Sequence, residues 1–101
     1  MARDIDLMAG IEAELQNERM FALGQAGKKV EATLAALAAA PDARGGALED
    51  LLHDAAYAVW SYLIMRESLG MFDHKEAMAI YGVPGRVMAR VGVVRRAPST
   101  T

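Results

Sequence analysis

The sequence predicts an all-α fold: one long N-terminal helix turned back antiparallel on a second long helix, followed by two short helices. Three observations carry that expectation. Apolar residues recur at helical spacing along most of the chain. Alanine, the strongest helix former, crowds positions 32–40. Proline and glycine gather at a few places where a helix would stop. With 101 residues the chain suffices for one domain and is too short for two, and a hydrophobic content of 53% can supply a core.

The first helix is expected over about 4–40. Met8, Ile11, Leu15, Ala22, Ala26, Val30, Leu34 and Leu37 recur at steps of three, four or seven, one apolar stripe at helical period. Asp4 and Asp6 suit the positive end of the helix macrodipole, and Pro41 cannot continue the helix. Gly24 and Gly27 each cost about 1 kcal/mol against alanine. The stripe nevertheless keeps its phase across them, whereas a loop would reset it. One continuous helix is therefore expected, with the two glycines letting a neighbouring helix come close; a kinked pair split near Gly24 is the alternative.

Positions 41–46 read as a turn by composition. The second helix is expected over about 47–69, with Leu48, Leu52, Ala55, Val59 and Leu63 on one line and Leu51, Ala58, Tyr62, Met65 and Leu69 widening it. Its broad apolar arc should make it the most buried helix. Glu49, Asp50 and Asp54 sit early in it, where the macrodipole favours acids, and Gly70 suits the position just past its end. Asp73 and Glu76 have the spacing of a capping box and open a third helix, about 73–81, ended by Gly82. Pro84 suits the first position of a fourth, about 84–91, closed by Gly92. The remainder, 93–101, is expected to be a flexible basic tail.

Composition narrows the function classes. The absence of cysteine excludes a disulfide framework, a thiolate zinc site and a cysteine nucleophile, and fits a reducing compartment. Residues 1–10 lack the apolar run of a signal peptide, and no apolar run reaches the roughly 18 residues that a membrane span needs. A cytoplasmic protein without membrane contact is expected. Charge is divided unevenly: residues 1–82 hold 13 acids and 7 bases, while 83–101 hold Arg86, Arg90, Arg95 and Arg96 and no acid. A basic end of this kind can meet nucleic acid, or can complement the acidic body of its own chain.

Length points to self-association. A helix of ~36 residues is ~54 Å long, and a second of ~23 residues only ~35 Å. The first must overhang the second by several turns, and the overhang carries Met8, Ile11, Leu15 and Phe21. Exposed apolar surface of that extent marks an interaction site. A two-fold pairing of two helical hairpins into a dimeric bundle would cover it. The expected partner is a second copy, and the expected interface residues are Met8, Ile11, Leu15, Phe21 and Trp60. Tyr57, Trp60 and Tyr62 read as core and interface anchors rather than a cofactor box.

Signals for chemistry are weaker. Glu49, Asp50 and His53 share a helix face but supply too few ligands for a metal. No serine sits in a nucleophile elbow, and Gly45-Gly46 lacks the continuation of a phosphate loop. Neither a cofactor nor a metal is expected. Arg66, Glu67, Asp73 and His74 form a polar cluster whose expected role is structural: Arg66 and Glu67 in ion pairs at the helix end with Asp73 or Lys75, and Asp73 as a helix cap. A cleft enzyme built on these four is the least favoured class, because no nucleophile accompanies them. The segment 74–91 has the outline of a helix-turn-helix, with Arg86 and Arg90, then Arg95 and Arg96, as phosphate contacts. Its second helix is short and has no Gln, Asn, Ser or Thr to read bases. A small DNA-binding or regulatory protein is thus the alternative to a non-enzymatic protein acting through protein–protein contacts.

Two stretches carry a resemblance. One is Trp60-x5-Arg66-Glu67-x2-Gly70-x2-Asp73-His74, continuing to Tyr81-Gly82-Val83-Pro84 and Val87. The other is Ala22-Leu23-Gly24-Gln25-Ala26-Gly27-Lys28-Lys29-Val30-Glu31. From about Glu14 to Gly92 the chain resembles a family of small, all-helical bacterial proteins known as a domain of unknown function. The resemblance implies a helical fold and a bacterial, cytoplasmic setting. It assigns no functional residue.

Overall fold

The computed structural model describes residues 2–93, with side chains from Asp6 on. Four helices follow one another: α1 (Ala2–Ala38), α2 (Gly45–Ser68), α3 (His74–Tyr81) and α4 (Gly85–Met88). Among the described residues there is no strand. α1 packs along α2, and α4 packs on α2. The tail from 94 on, with Arg95 and Arg96, lies outside the described residues.

α1 is one uninterrupted helix through Gly24 and Gly27. The two glycines differ in what surrounds them. A Cβ on Gly24 would meet nothing within 4 Å, whereas one on Gly27 would collide with the Tyr81 hydroxyl. Only Gly27 serves close approach, and the neighbour it admits is an aromatic side chain from α3. The expected stripe also needs correction. Leu23, Val30 and Leu37 enter the core, seven residues apart, and Ala22 stays at its edge. At 100° per residue Met8, Ile11 and Leu15 lie about 40°, 100° and 60° round from Val30, all to the same side of that line. The helix is continuous, but the apolar face of its projecting half is centred about 90° round from the line that enters the core.

Helix ends depart from expectation by a few residues. α1 stops at Ala38, two residues before the predicted end and ahead of Pro41, with the Ala40 amide donating to the Leu37 carbonyl at 3.2 Å. α2 begins at Gly45 rather than 47, which moves Glu49 and Asp50 beyond the first turn, away from the unpaired amides they were expected to face. It ends in a Schellman motif: the Gly70 amide donates to the Glu67 carbonyl at 3.0 Å and the Met71 amide to the Arg66 carbonyl at 2.9 Å, with Gly70 at φ 80°. The same pattern closes α3. There Gly82, at φ 65°, donates to Ala79 at 3.2 Å and Val83 to Met78 at 3.1 Å. Asp73 precedes α3 but makes no side-chain cap bond, so the expected capping box is not formed. α4 is a single turn, half of what was expected, because only Gly85–Met88 keep helical bonding before the chain tightens into turns.

The core lies between the C-terminal half of α1 and the inner face of α2. α2 contributes Leu52, Ala55, Ala56, Ala58, Val59 and Tyr62, the largest share of any helix, as its arc predicted; Ala77, Met78 and Val87 close the far side. Its largest fully sealed side chains are three valines, Val30, Val59 and Val87. Alanine and valine facing each other allow close helix approach but bury modest apolar area. Outside this core, every side chain from Asp6 to Phe21 is exposed. The molecule measures 64 × 35 × 21 Å with a radius of gyration of 18.0 Å, against roughly 13 Å for a compact domain of this length. The projecting half of α1 accounts for the excess.

Candidate functional site

The projecting half of α1, here called the arm, presents Leu7, Met8, Ile11 and Leu15 to solvent at 64%, 59%, 45% and 47% of full exposure. At 100° per residue these four fall within an arc of about 100°, the width of a normal buried helix face. The expected interface residues Met8, Ile11 and Leu15 are therefore together. Phe21 is also exposed, but it sits half a turn round from Val30 and outside the arc. Leu7, unselected from sequence, belongs to the arc; its i+4 relation to Ile11 and i+8 relation to Leu15 was the signal.

A second apolar surface lies on α2. His53, Tyr57, Trp60 and Ile64 line its outer side, at i, i+4, i+7 and i+11. Tyr57, Trp60 and Ile64 are exposed, and the rings of His53, Tyr57 and Trp60 follow one another with centroids 6.4 and 6.0 Å apart. Of the three expected core and interface anchors, only Tyr62 is in the core; Tyr57 and Trp60 face outward. Trp60 and the arm lie on different parts of the molecule, so a single chain does not bring the predicted interface residues into one patch.

The polar cluster is assembled, with different partners from those expected. His74 Nε2 and Glu67 Oε1 are 2.9 Å apart, and Arg66 donates to the backbone carbonyl of Asp73 at 2.9 Å. The end of α2 is thereby tied to the start of α3. Arg66 takes a carbonyl and not a carboxylate, and Glu67 takes His74 and not Lys75. The nearest cleft, about 200 Å³, is lined by Tyr62, Arg66, Glu76, Ala77, Ile80 and Tyr81. Of the four clustered residues only Arg66 reaches it, and ligand pockets begin at roughly 300 Å³. Within it the Tyr62 and Tyr81 rings meet edge to face at 5.3 Å, and the Arg66 guanidinium sits 5.9 Å from the Tyr62 ring centre. Burial, then hydrogen bonding with Tyr62 and the nearby charges of Tyr62 and Glu31, push the Tyr81 phenol up to about 12, with Arg66 pulling the other way.

Among the described residues, no group of three or more His, Cys, Asp or Glu side chains could hold a metal. Of the helix-turn-helix arginines, Arg90 is engaged by its own chain: it donates to Glu49 at 3.0 Å and to the Arg86 carbonyl at 3.1 Å. The helix that would enter a groove is one turn long. No described helix is long and apolar enough to cross a membrane.

A family model covers residues 1–99, that of a family of unknown function, DUF6665. The chain belongs to DUF6665. This agrees with the resemblance drawn from the Trp60–Val87 and Ala22–Glu31 stretches, and the match takes in the arm, the α2 stripe and the polar cluster together. No curated protein and no solved structure matches the chain. The DUF6665 assignment adds no activity, so function has to be argued from the two exposed apolar surfaces.

Proposed function

We propose that this DUF6665 member is a non-enzymatic helical protein of the bacterial cytoplasm that self-associates as a homodimer and acts through protein–protein contacts. The observation that carries this reading is the arm: a helix continuing well beyond its partner with Leu7, Met8, Ile11 and Leu15 exposed on one face. In proteins most helical stability comes from packing an apolar face, and among the described residues nothing packs on the face of the arm. Supporting it, the core is small in its side chains, so a folded monomer leaves little apolar burial in reserve.

Sedimentation across a concentration series tests the proposal. Wild-type protein should run as a dimer at tens of micromolar, and Ile11→Glu should shift it towards monomer while retaining the folded α1–α2 core. A clean wild-type monomer at that concentration rejects the reading.

A further inference from the structure

We propose that the Tyr57–Trp60–Ile64 stripe is the docking surface of the chain's own basic end, residues 94–101, with Arg95 and Arg96 meeting the aromatic rings and the acids beside them. The segment acts as a strap that closes the stripe to other molecules. It is independent of the self-association proposed above, which concerns the arm.

Where α4 gives way to the tail, the backbone already lies against the indole. A Cβ placed on Gly92 would meet Trp60 Cδ1 at 3.9 Å, an ordinary van der Waals contact. Exposed Val93 comes next, and residues 94–101 continue from there. α4 stands to one side of Trp60. Arg90 donates to Glu49 at 3.0 Å, and Glu49 is turned about 20° from Trp60 round α2. Ile64, Tyr57 and Asp54 are turned about 40°, 60° and 120° the other way. A chain that comes from α4 and continues past Trp60 therefore crosses the stripe. Reach suffices: Tyr57, Ile64 and Asp54 lie about 4.5, 6 and 9 Å from Trp60 along the helix. Three extended residues span about 10 Å, which brings Arg95 and Arg96 level with all of them.

Charge selects the same occupant. Acids border the stripe, Asp50 and Asp54 along one edge and Glu49 and Glu67 near its ends. Glu49 is held by Arg90 at 3.0 Å and Glu67 by His74 at 2.9 Å. Asp54 has no ion-pair partner among the described residues. Residues 94–101 bring two arginines and no acidic side chain. A guanidinium both pairs with carboxylates and stacks on Trp and Tyr faces, so arginine suits a surface of rings edged by acids. An arm from a second copy would instead add Glu12, Glu14 and Glu18 to that edge. Tethering also favours the chain's own segment. A short connection sets an effective concentration of about millimolar, above that of a second copy at tens of micromolar.

The chain has one tryptophan, so the cover on the stripe is directly readable in the full-length protein. Trp60 emission and its quenching by acrylamide are measured over a dilution series for wild type, for Arg95→Glu/Arg96→Glu, and for that variant with Asp54→Lys added. The double variant should red-shift Trp60 and raise its quenching, equally at every protein concentration, and Asp54→Lys should reverse much of both changes. Unchanged quenching in the double variant, or exposure that Asp54→Lys does not reverse, overturns the proposal. A difference that vanishes on dilution overturns it too, because the cover would then come from another copy. Sedimentation of Ile11→Glu tests self-association separately, so either reading can fail while the other stands.

Discussion

At the scale of single residues, Gly24 and Gly27 show how far the same residue type can diverge three positions apart. Both are mid-helix glycines and both cost helix stability. Gly24→Ala meets no neighbour, so it should stabilise the fold by about 0.5–1 kcal/mol. Gly27→Ala drives a methyl group into the Tyr81 hydroxyl, whose ring is pinned edge to face against Tyr62, and should destabilise by about 1–3 kcal/mol. Thermal melts of the two variants should move in opposite directions, and Tyr81→Phe, which deletes the colliding oxygen, should restore much of the Gly27→Ala loss. Tyr81 itself makes a pH prediction. Its phenol titrates near 10 when unfolded and near 12 when folded, so the folded state holds the proton more tightly. Its contribution to stability is complete below pH 10 and is lost as pH rises from about 10 to about 12. Phenolate absorbance should show one late-titrating tyrosine in the native protein, absent from Tyr81→Phe.

The helices were largely legible because their signals are local. Pro41 and the glycines at 70 and 82 mark ends that depend only on backbone chemistry, and the structure places left-handed glycines at both of the latter. Gly70→Ala and Gly82→Ala should each cost about 1–2 kcal/mol, read by denaturant midpoint, since a side chain there is forced into the left-handed region. Less legible was what side chains do at helix starts. Asp73 had the right type and spacing for a cap but makes none, and its carbonyl binds Arg66 instead. The polar cluster was named from sequence, yet its pairing was not, because Arg66, Glu67, Lys75 and His74 are all long enough to exchange partners. Loop geometry at Gly70–Phe72 decides which of them meet. Which of Tyr57, Trp60 and Tyr62 would be core and which would face outward was left open for a related reason: α2 has a broad apolar arc, and periodicity alone cannot say which side of such a helix its neighbours will take.

For the whole molecule, the mismatch of helix lengths was a prediction of arithmetic, and the 64 Å long axis is its consequence. If the arm is covered only by association, folding and pairing are linked by mass action. The melting temperature of the wild-type protein should then rise with protein concentration, and that of Ile11→Glu should not. Differential scanning calorimetry over a hundredfold dilution reads this independently of sedimentation.

By itself the sequence determined the helical class and the order of the elements, and it favoured a continuous first helix that outruns the second over a break near Gly24. All of these follow from periodicity, propensity and residue count, which are properties of a chain read in one dimension. Only the tertiary structure decided which sides of those helices remain open. It showed that the arm's apolar face lies to one side of the core line through Leu23, Val30 and Leu37, and that a separate aromatic stripe lies outside the core on α2. It also showed that Gly27 and not Gly24 admits a neighbour. Those facts depend on the azimuth at which each helix meets the next, which the packing of small alanine and valine side chains sets and no single helix encodes.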